Sequence, residues 1–513
     1  MSGSATSSTP APLWCTTHIG LECRKRRATT LGVKAPIPII FVSDNGEFVS
    51  RQSGQDIVRI VKKVEAYLAE YDDLNIKKLF HELFPMMRSI TGSGFRNSVQ
   101  IGLKNFGILA KEMKIPSGSK VFDWIVPAEW EIREAWVKNS KGKVIIDLNN
   151  SNLHILNFSS SFHGVISKDE LLKHLHTMPD RPEWIPYRTS YYIDNWGFCC
   201  KHSLLSSEDF SGPFEVYIDS TKNSDSGNLY WYESEHKGAR TDTILISTYF
   251  CHPSLANDNL SGFITALALF NCIRSQDTRL TYKLVIVPET IGSLAYLKSI
   301  RKKDLQKILG GFVVTTTAGQ GPIGIKKTFL GDHPLDKISK QVCQRIDPKS
   351  FTYDFIPLGS DERQYSSPEF RIPTISITNS KYHEYDEYHS SADNLEYISM
   401  PNFRNNLAAH IEVVNWLEMN VTPRKRDSGG AGGEFQLGKY GLFPNIGGKI
   451  YQKAAQYENR EINELKIEIF AWVMHLIDGK TSVLEMSEKS GIPFEALSES
   501  LELFRLKGLV SYL

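Results

Sequence analysis

The stretch that decides the fold is Ser247-Thr-Tyr-Phe-Cys-His-Pro-Ser-Leu-Ala-Asn-Asp-Asn-Leu-Ser-Gly262. An apolar, β-branched strand over residues 243–248 leads into it, and an apolar helical run over residues 263–273 follows it. His252 and Asp258 therefore lie on the loop between a strand and a helix, where ligands and catalytic groups collect in an open α/β sheet. An imidazole and a carboxylate at such a place suit a divalent metal such as zinc. The alternative is a turn whose Asn-Asp-Asn only caps the next helix.

Length and composition limit the class of protein. A chain of 513 residues predicts two to four domains, and 41% hydrophobic with 23% charged residues is typical of globular proteins. The net charge of +1 gives no strong field towards a polyanion or an acidic membrane. Without a long apolar run or an apolar N-terminal signal, we expect a cytoplasmic protein with no membrane partner. Seven scattered cysteines without a Cys-x-x-Cys pair favour reduced thiols.

The pattern along the chain predicts an α/β catalytic domain with additions. Strands over residues 244–248, 284–287, 311–316 and 372–378 alternate with helices over 263–274, from 294, and over 334–346 and 400–419, which predicts a largely parallel or mixed sheet. Earlier helices are predicted from residue 55, near 76–84 and over 99–113. The predicted domains are a disordered or poorly packed extension (1–53), the catalytic domain (54–125 and 199–421), a β-rich insert (126–198), a linker (422–433) and a winged helix-turn-helix (434–513).

Further strand ends supply chemical groups. Glu289 directly follows an apolar strand, a charged run occupies residues 359–365, and His389 lies in the loop after the strand 372–378. Taken singly, a strand-end Glu is more often a helix N-terminal carboxylate, and a loop His is usually solvated. Together with His252 and Asp258 they supply what a hydrolytic zinc site needs: three protein ligands, an open position, and a carboxylate that takes a proton from water.

These residues carry a resemblance. The order His252, Asp258, Glu289, His389 resembles the zinc aminopeptidase and carboxypeptidase clan, whose fold is a three-layer α/β/α sandwich with a mixed sheet. Several phrases resemble one branch of aminopeptidase-like proteins that have a small β-rich inserted domain and a C-terminal winged helix. The phrases are Arg88-Ser-Ile-Thr-Gly92, Cys251-His-Pro-Ser-Leu-Ala-Asn-Asp-Asn-Leu-Ser-Gly262, Pro288-Glu-Thr-Ile-Gly-Ser293, Gly359-Ser-Asp-Glu-Arg-Gln-Tyr365 and Glu387-Tyr-His-Ser-Ser-Ala-Asp-Asn394, within a similarity that spans residues 75–513.

The resemblance implies roles for these positions. His252, Asp258 and His389 would be metal ligands, with Asp258 able to bridge two metals and often followed by a cis peptide bond in the clan. Where the clan has two adjacent glutamates, a base and a ligand, this chain has Pro288-Glu289. We therefore expect Glu289 to be the catalytic base, with a role as ligand as the alternative. Thr-Thr-Thr at 315–317 replaces the aspartate of two-metal relatives, so we expect one zinc and a weak or empty second site.

The run at 359–365 supplies further hypotheses, based on charge type and loop position. Arg363 or Tyr365 would stabilise the oxyanion, and Asp361 or Glu362 would receive a substrate ammonium. The predicted function is a cytoplasmic, zinc-dependent aminopeptidase-like hydrolase of small peptides or amide-linked amines. One alternative is an amidase or deacylase acting on a modified sugar or amino-acid conjugate. Another is a binding or regulatory protein that keeps a degraded site.

The tail has the element order of a winged helix but not the charge of a DNA-binding one. Residues 461–513 contain nine acidic and five basic residues, a balance of −4. The would-be recognition helix over 494–507 carries Glu495, Glu499 and Glu502 on one face, which would repel phosphate. We therefore expect this tail to pack against the catalytic domain or another subunit, in a possible homo-oligomer, and we expect no nucleic-acid partner.

Overall fold

An eight-stranded mixed sheet forms the centre of the computed structural model, which describes residues 73–426, 433–442 and 462–512. The extension at 1–53 and the helix predicted from residue 55 lie outside the described residues. The α-helices are α1 (Asp73–Leu83), α2 (Ser93–Asn105), α3 (Lys168–Lys173), α4 (Gly262–Arg274), α5 (Ile291–Ser299), α6 (Lys302–Leu305), α7 (Pro334–Ile346), α8 (Glu362–Tyr365), α9 (Met400–Met419), α10 (Ile462–Leu476), α11 (Val483–Ser490) and α12 (Phe494–Leu506). The strands are β1 (Lys111–Pro116), β2 (Lys120–Val121), β3 (Trp124–Ile125), β4 (Glu129–Lys138), β5 (Val144–Asp147), β6 (Phe162–Ile166), β7 (Leu175–His176), β8 (Phe198–Cys199), β9 (Phe214–Asn223), β10 (Asn228–His236), β11 (Thr243–Tyr249), β12 (Thr281–Val287), β13 (Ile308–Val313), β14 (Ile323–Lys326), β15 (Phe351–Tyr353), β16 (Thr374–Asn379), β17 (Pro423–Lys425) and β18 (Val510–Tyr512).

The sheet order is β1-β10-β12-β11-β13-β16-β14-β15. Its four central strands, β12, β11, β13 and β16, run parallel to one another, while β10 and β14 are antiparallel to their central neighbours. The mixed sheet predicted from the alternation of strands and helices is therefore confirmed. Because adjacent parallel strands end at the same edge, the loops after these four strands share one side of the molecule.

Side chains alternate between the two faces of the sheet and so define two further layers. Ile244 and Ile246 pack with the helices α4, α7 and α9, whereas Leu245 and Tyr249 pack with α5 and the β-rich insert. This period of two is what a strand buried on both faces produces. The three-layer α/β/α sandwich is thus confirmed.

One predicted helix is shorter than expected. The helix predicted over 99–113 begins earlier, at Ser93, and ends at Asn105, and Lys111–Pro116 forms the edge strand β1. Gly107 adopts φ +59°, a left-handed conformation that ends the helix, and the chain then pairs antiparallel with β10 from Lys111 opposite Glu233. The sequence pattern did not separate these elements, because the tertiary pairing with β10 determines the strand.

The insert has its own four-stranded sheet in the order β5-β4-β9-β6. Its core includes Trp130, whose ring stacks on Phe158 at 5.6 Å and whose Nε1 donates to the Ser159 carbonyl at 2.8 Å. The strand β9 extends to Asn223, beyond residue 198 where the prediction ended the insert. Strand pairing between β4 and β9 brings this later segment into the insert.

The winged helix packs on the catalytic domain. Phe494, at the start of α12, stacks on Trp416 of α9 with 4.3 Å between ring centroids. Lys337 of α7 forms a 2.9 Å ion pair with Glu488, and Arg345 pairs with Glu495. Within the predicted linker, Pro423–Lys425 forms β17, which pairs antiparallel with β18. The first turn of the would-be recognition helix is therefore engaged by the chain itself.

His410 on α9 gives a prediction about stability. It is completely buried, its Nδ1 bonds the Asn406 carbonyl at 2.9 Å, and burial lowers the pKa of His410 from 6.5 to about 4. In the unfolded chain His410 binds a proton at a higher pH than in the folded chain. Acidification from pH 6.5 to pH 4 should therefore lower the free energy of unfolding by roughly 3 kcal/mol. Urea denaturation at several pH values should show this slope, and His410→Leu should reduce it. His163→Gln, at an exposed position, is the control and should leave it unchanged; an unaltered slope in His410→Leu would contradict the assignment.

Two further observations concern the length and apolarity of the helices and the state of the cysteines. Within the described ranges, no helix is both long and apolar enough to cross a membrane. The five cysteines that the structure describes are buried and form no disulfide: Cys199, Cys200, Cys251, Cys272 and Cys343.

Candidate metal centre

Three loops at the carboxyl edge of the sheet bring together the four side chains predicted to form the site. His252 and Asp258 follow β11, Glu289 follows β12, and His389 follows β16. One potential ligand atom from each of His252, Asp258 and His389 lies within 4.8 Å of the other two. The Glu289 carboxylate lies 3.7 Å from Nε2 of His252. The predicted convergence of these residues is present.

His252 has the environment of a neutral ligand. Its side chain is 5% exposed, and burial lowers the pKa of His252 to about 4, against the opposing effect of Asp258. Its Nδ1 is buried with no hydrogen-bond partner among the described residues. A buried polar nitrogen without a partner is costly, and neutral imidazole is the form that binds metals. Both properties fit a metal ligand.

Asp258 lies at the centre of the cluster. It is 1% exposed, its Oδ2 lies 3.0 Å from Nε2 of His389, and its Oδ1 accepts a 2.5 Å hydrogen bond from the Tyr249 hydroxyl. Burial raises the pKa of Asp258, but His252, His389 and Tyr249 together lower it to about 2. The residue is therefore a carboxylate at neutral pH. The peptide bond between Asp258 and Asn259 is cis, as the resemblance implied.

Asp393 holds the loop that carries Asp258. Its Oδ1 accepts the backbone N–H of Asn257 at 2.6 Å and its Oδ2 that of Asp258 at 3.0 Å, and the Tyr385 hydroxyl donates to Oδ2 at 2.9 Å. Burial raises the pKa of Asp393 to about 7. Because Asp393 lies only four residues after His389, it joins the loops of two ligands. Sequence reasoning quoted this residue within a phrase but assigned it no role.

The insert contributes directly to the centre. The Tyr187 N–H donates to the His389 carbonyl at 2.8 Å, and the Ser391 N–H donates to the Ile185 carbonyl at 2.8 Å. The Tyr187 ring lies 5.0 Å from the ring of His252 and 5.1 Å from that of His389. On the other side, Tyr388 stacks on His389 at 3.9 Å. Aromatic rings thus line both histidines.

Arg88 supports the backbone of His252. It is completely buried, its Nε donates to the His252 carbonyl at 2.9 Å, and its guanidinium lies 4.4 Å over the Phe250 ring. Nη1 donates to the Leu83 carbonyl, while Nη2 has no partner in the described parts of the chain. Burial lowers the pKa of Arg88 to about 9. Arg88 lies in the phrase Arg88-Ser-Ile-Thr-Gly92, which carried the resemblance but assigned this residue no contact or role.

Backbone strain marks the same edge of the sheet. Every loop after the four parallel strands contains a non-glycine residue at positive φ: Ser254 at 46°, Thr290 at 64°, Thr316 at 48° and His389 at 53°. Such conformations cost about 1–3 kcal/mol each and cluster at functional sites. Strain of this kind is maintained by surrounding packing, which is dense here because Thr290 and Thr316 are buried.

The position of a second metal is altered. The Tyr249 hydroxyl, which donates to Asp258 Oδ1, also lies 2.8 Å from the Thr315 hydroxyl. The oxygen that a bridging carboxylate would offer to a second metal is therefore engaged by a phenol. Thr316, in the same loop, has a buried hydroxyl with no partner within the described ranges.

The charged and hydroxyl-bearing residues of the run at 359–365 differ in burial and in their partners. Asp361 accepts the Thr290 N–H at 2.7 Å and the Ser293 hydroxyl at 2.9 Å, and burial raises the pKa of Asp361 to about 7. Glu362 is fully buried and forms a 3.7 Å ion pair with Lys326. The structure thus gives both carboxylates partners within the chain, and their assignment to a substrate ammonium stays a prediction.

Arg363 and Tyr365 differ in their access to the site. Nη2 of Arg363 donates to the Thr290 hydroxyl at 3.2 Å, beside Glu289. Tyr365 is completely buried, and its hydroxyl lies 2.7 Å from that of Ser247. The structure therefore does not bring Tyr365 to a substrate carbonyl, because the direction of its side chain into the sheet could not be read from loop position.

Comparison with known proteins gives the family. The family model described as a domain of unknown function, DUF4910, matches residues 77–420, and one described as winged helix-turn-helix matches 428–512. A relative from Clostridium acetobutylicum, described as a "putative polysaccharide biosynthesis protein with aminopeptidase-like domain", is 37% identical over 443 residues, which are 84% of this chain and 95% of that protein.

Solved structures agree with this. The crystal structure of a "putative peptidase" from Clostridium acetobutylicum is 33% identical, covers 90% of this chain and 99% of its own, and gives a TM-score of 0.74. A zinc aminopeptidase from Bacillus subtilis is 11% identical, with a TM-score of 0.46 over 70% of this chain and 94% of its own. The predicted resemblance to aminopeptidase-like proteins with a C-terminal winged helix is confirmed.

Proposed function

The chain belongs to the DUF4910 family, and we propose that it is a zinc-dependent hydrolase that cleaves a peptide or amide bond in small substrates. The observation that carries this proposal is the cluster of His252, Asp258 and His389, whose ligand atoms lie within 4.8 Å of one another, with Glu289 beside it. The aminopeptidase-like domain named in the 37% identical relative supports the reaction class.

The donor set fits one zinc ion. Two imidazoles and a carboxylate are a common ligand set for catalytic zinc, which leaves a position open for water. The lowered pKa values of His252 and Asp258 provide ligands in the deprotonated form that binding requires. Zinc bound there supplies a Lewis acid and lowers the pKa of a water towards 7. The hydrogen bond from Tyr249 to Asp258 supports one zinc rather than two.

Glu289 is the proposed general base. It does not belong to the group of mutually close ligand atoms, although it lies 3.7 Å from His252. Burial raises the pKa of Glu289, and the nearby Asp361 and Asp258 raise it further. A carboxylate with a raised pKa accepts a proton from water more readily near neutral pH. Its absence from the group of mutually close ligand atoms supports this role over that of a fourth ligand.

The surrounding residues would bind and orient the substrate. Tyr187 and Tyr388 lie against the histidines and exclude water from that side of the centre. Asp361 and Glu362 each keep one buried carboxylate oxygen without a hydrogen-bond partner in the described chain, but that of Glu362 lies 3.7 Å from the Lys326 ammonium, which supports Asp361 as the group that recognises a substrate amine. A substrate amine held near Glu289 would distinguish an aminopeptidase from other amidases.

A second candidate is an amidase or deacylase acting on a modified sugar or amino-acid conjugate. The observation that favours it is the description of the relative as a "putative polysaccharide biosynthesis protein". The same centre would serve both reactions, because both attack an amide carbonyl with an activated water. The two candidates differ only in the group carried on either side of that carbonyl.

The winged helix would have a structural role in this proposal. Phe494 stacks on Trp416, and Glu495 pairs with Arg345, so α12 already contacts the catalytic domain. We therefore propose a cytoplasmic enzyme for which nucleic acid is not a partner. Electrophoretic mobility shift at low salt is the matching assay, and tight duplex binding would contradict this role.

Metal analysis and a substrate panel test the proposal together. The purified protein should contain about one zinc per chain, and chelation should abolish hydrolysis that zinc restores. Aminoacyl amides and N-acyl sugars should be assayed side by side. Turnover of the first group supports the aminopeptidase, and turnover of only the second supports the deacylase. No zinc affinity and no turnover of either group would favour the binding or regulatory protein.

A further inference from the structure

Arg363 is a half-buried cation beside the loop that carries Glu289. No carboxylate of the described residues lies within 4.0 Å of its guanidinium, and its Nη2 donates a hydrogen bond to the Thr290 hydroxyl. Its Nε is buried and has no partner in the part of the chain that the structure describes. A half-buried guanidinium with an unused donor is costly unless a ligand completes it.

The position of Arg363 places that unused donor beside the reaction centre. Thr290, which accepts its hydrogen bond, directly follows Glu289. Burial raises the pKa of the Tyr191 hydroxyl to about 12, and the positive charge of Arg363 opposes that shift. The same charge opposes the rise in the pKa of Glu289 that burial causes. Arg363 therefore lies within electrostatic reach of both Glu289 and Tyr191.

The neighbouring acids do not neutralise this charge. Glu362 is paired with Lys326 at 3.7 Å, and Asp361 uses Oδ1 for the Thr290 N–H and the Ser293 hydroxyl. Burial raises the pKa of Asp361 to about 7, so this carboxyl is partly neutral at physiological pH. Neither acid forms an ion pair with Arg363, so the positive charge of the guanidinium is available to an incoming anion.

We propose that Arg363 forms a carboxylate-binding subsite beside Glu289, so that the preferred substrate carries an acidic group close to the scissile bond. The planar guanidinium matches a carboxylate with two parallel donors, of which Nε is one that the chain leaves free. The ordered anchor on Thr290 holds the guanidinium in place. The cleavage of such a substrate rests on the proposed function, whereas the binding of its carboxylate at Arg363 does not.

The role differs from that of an oxyanion donor. A donor to the scissile carbonyl acts on every substrate equally, whereas a carboxylate subsite acts only on acidic ones. The two roles therefore separate in a comparison of isosteric substrates that differ by one charge.

The test compares glutamyl and glutaminyl probes. L-Glutamyl-p-nitroanilide should be hydrolysed with a kcat/KM about 10- to 100-fold above that of L-glutaminyl-p-nitroanilide, as expected for a charge-assisted pair. Arg363→Gln should remove this preference. Arg363→Lys should keep only part of it, because lysine retains the positive charge but lacks the two parallel N–H donors of the guanidinium. Arg133→Gln, on the exposed surface of the insert, is the matched control and should retain the preference.

A binding measurement separates this inference from the proposed function. L-Glutamate and L-glutamine share the amino and α-carboxylate groups that a metal would bind, so a difference in their thermal shifts reports the side-chain carboxylate. Glutamate should stabilise the zinc-loaded protein more, and Arg363→Gln should remove the difference, even if neither anilide is cleaved. Equal shifts in the unmodified protein, including none, would overturn the subsite. An equal loss of turnover on both anilides in Arg363→Gln would assign Arg363 to the oxyanion instead.

Discussion

Glu289→Gln should lower kcat by about 10²- to 10⁴-fold, the contribution expected of a general base. The amide keeps the size of the side chain but cannot accept the proton from water. Because Glu289 lies outside the mutually close ligand group, zinc content should stay near that of the unmodified protein. Steady-state kinetics on the best substrate of the panel and elemental analysis of the same preparation are the required measurements.

The control for this substitution is Glu396→Gln, a change of the same type at an exposed position. It should leave both kcat and zinc content unchanged. Full activity in Glu289→Gln would remove the base from the mechanism. Loss of zinc together with activity would instead make Glu289 a ligand, which is the alternative that the single glutamate after Pro288 left open.

Asp258→Asn should weaken zinc binding by more than about 100-fold. Removing an outer-shell partner commonly costs 10- to 100-fold in metal affinity, and a charged ligand contributes more than that. The amide is a neutral and poorer ligand, while the hydrogen bonds that the Asn257 and Asp258 N–H groups donate to Asp393 hold the backbone of this loop in either protein. Competition with a chromogenic chelator measures the affinity, and circular dichroism reports whether the fold persists.

Asp386→Asn provides the comparison on the loop that also carries His389. Asp386 is 70% exposed and pairs with Arg181 at 2.6 Å, so its substitution should leave zinc affinity within about twofold, because exposed pairs contribute little. Unchanged zinc affinity in Asp258→Asn would exclude this residue as a ligand. The proposal of a zinc hydrolase would then lose its central carboxylate.

The convergence of the four central residues could be predicted from sequence because of one rule of sheet geometry. His252, Asp258, Glu289 and His389 each follow an apolar strand that the pattern identified, and adjacent parallel strands end together. The helices Pro334–Ile346 and Met400–Met419 have the predicted bounds, since their apolar spacing and their N-terminal prolines are local signals. Local sequence patterns were therefore enough to predict which loops lie together at the carboxyl edge of the sheet.

What surrounds the site could not be predicted in this way. Tyr187 reaches the histidines from the insert, and Arg88 reaches the His252 carbonyl from 164 residues earlier in the chain. Such contacts depend on how separate segments pack, which no periodicity encodes. The same limit explains Tyr365, whose phenol is directed to Ser247, and the strand Phe214–Asn223, which joins the insert through long-range pairing.

Three hydrogen bonds between residues 185–187 and 389–391, one of them to the Ser391 hydroxyl, have a consequence for engineering. They connect the insert to the segment that contains His389, so the position of each segment depends on the other. A variant from which the insert is deleted would lose the hydrogen bonds that hold the His389 segment. A design that grafts this site onto another scaffold therefore has to include both segments.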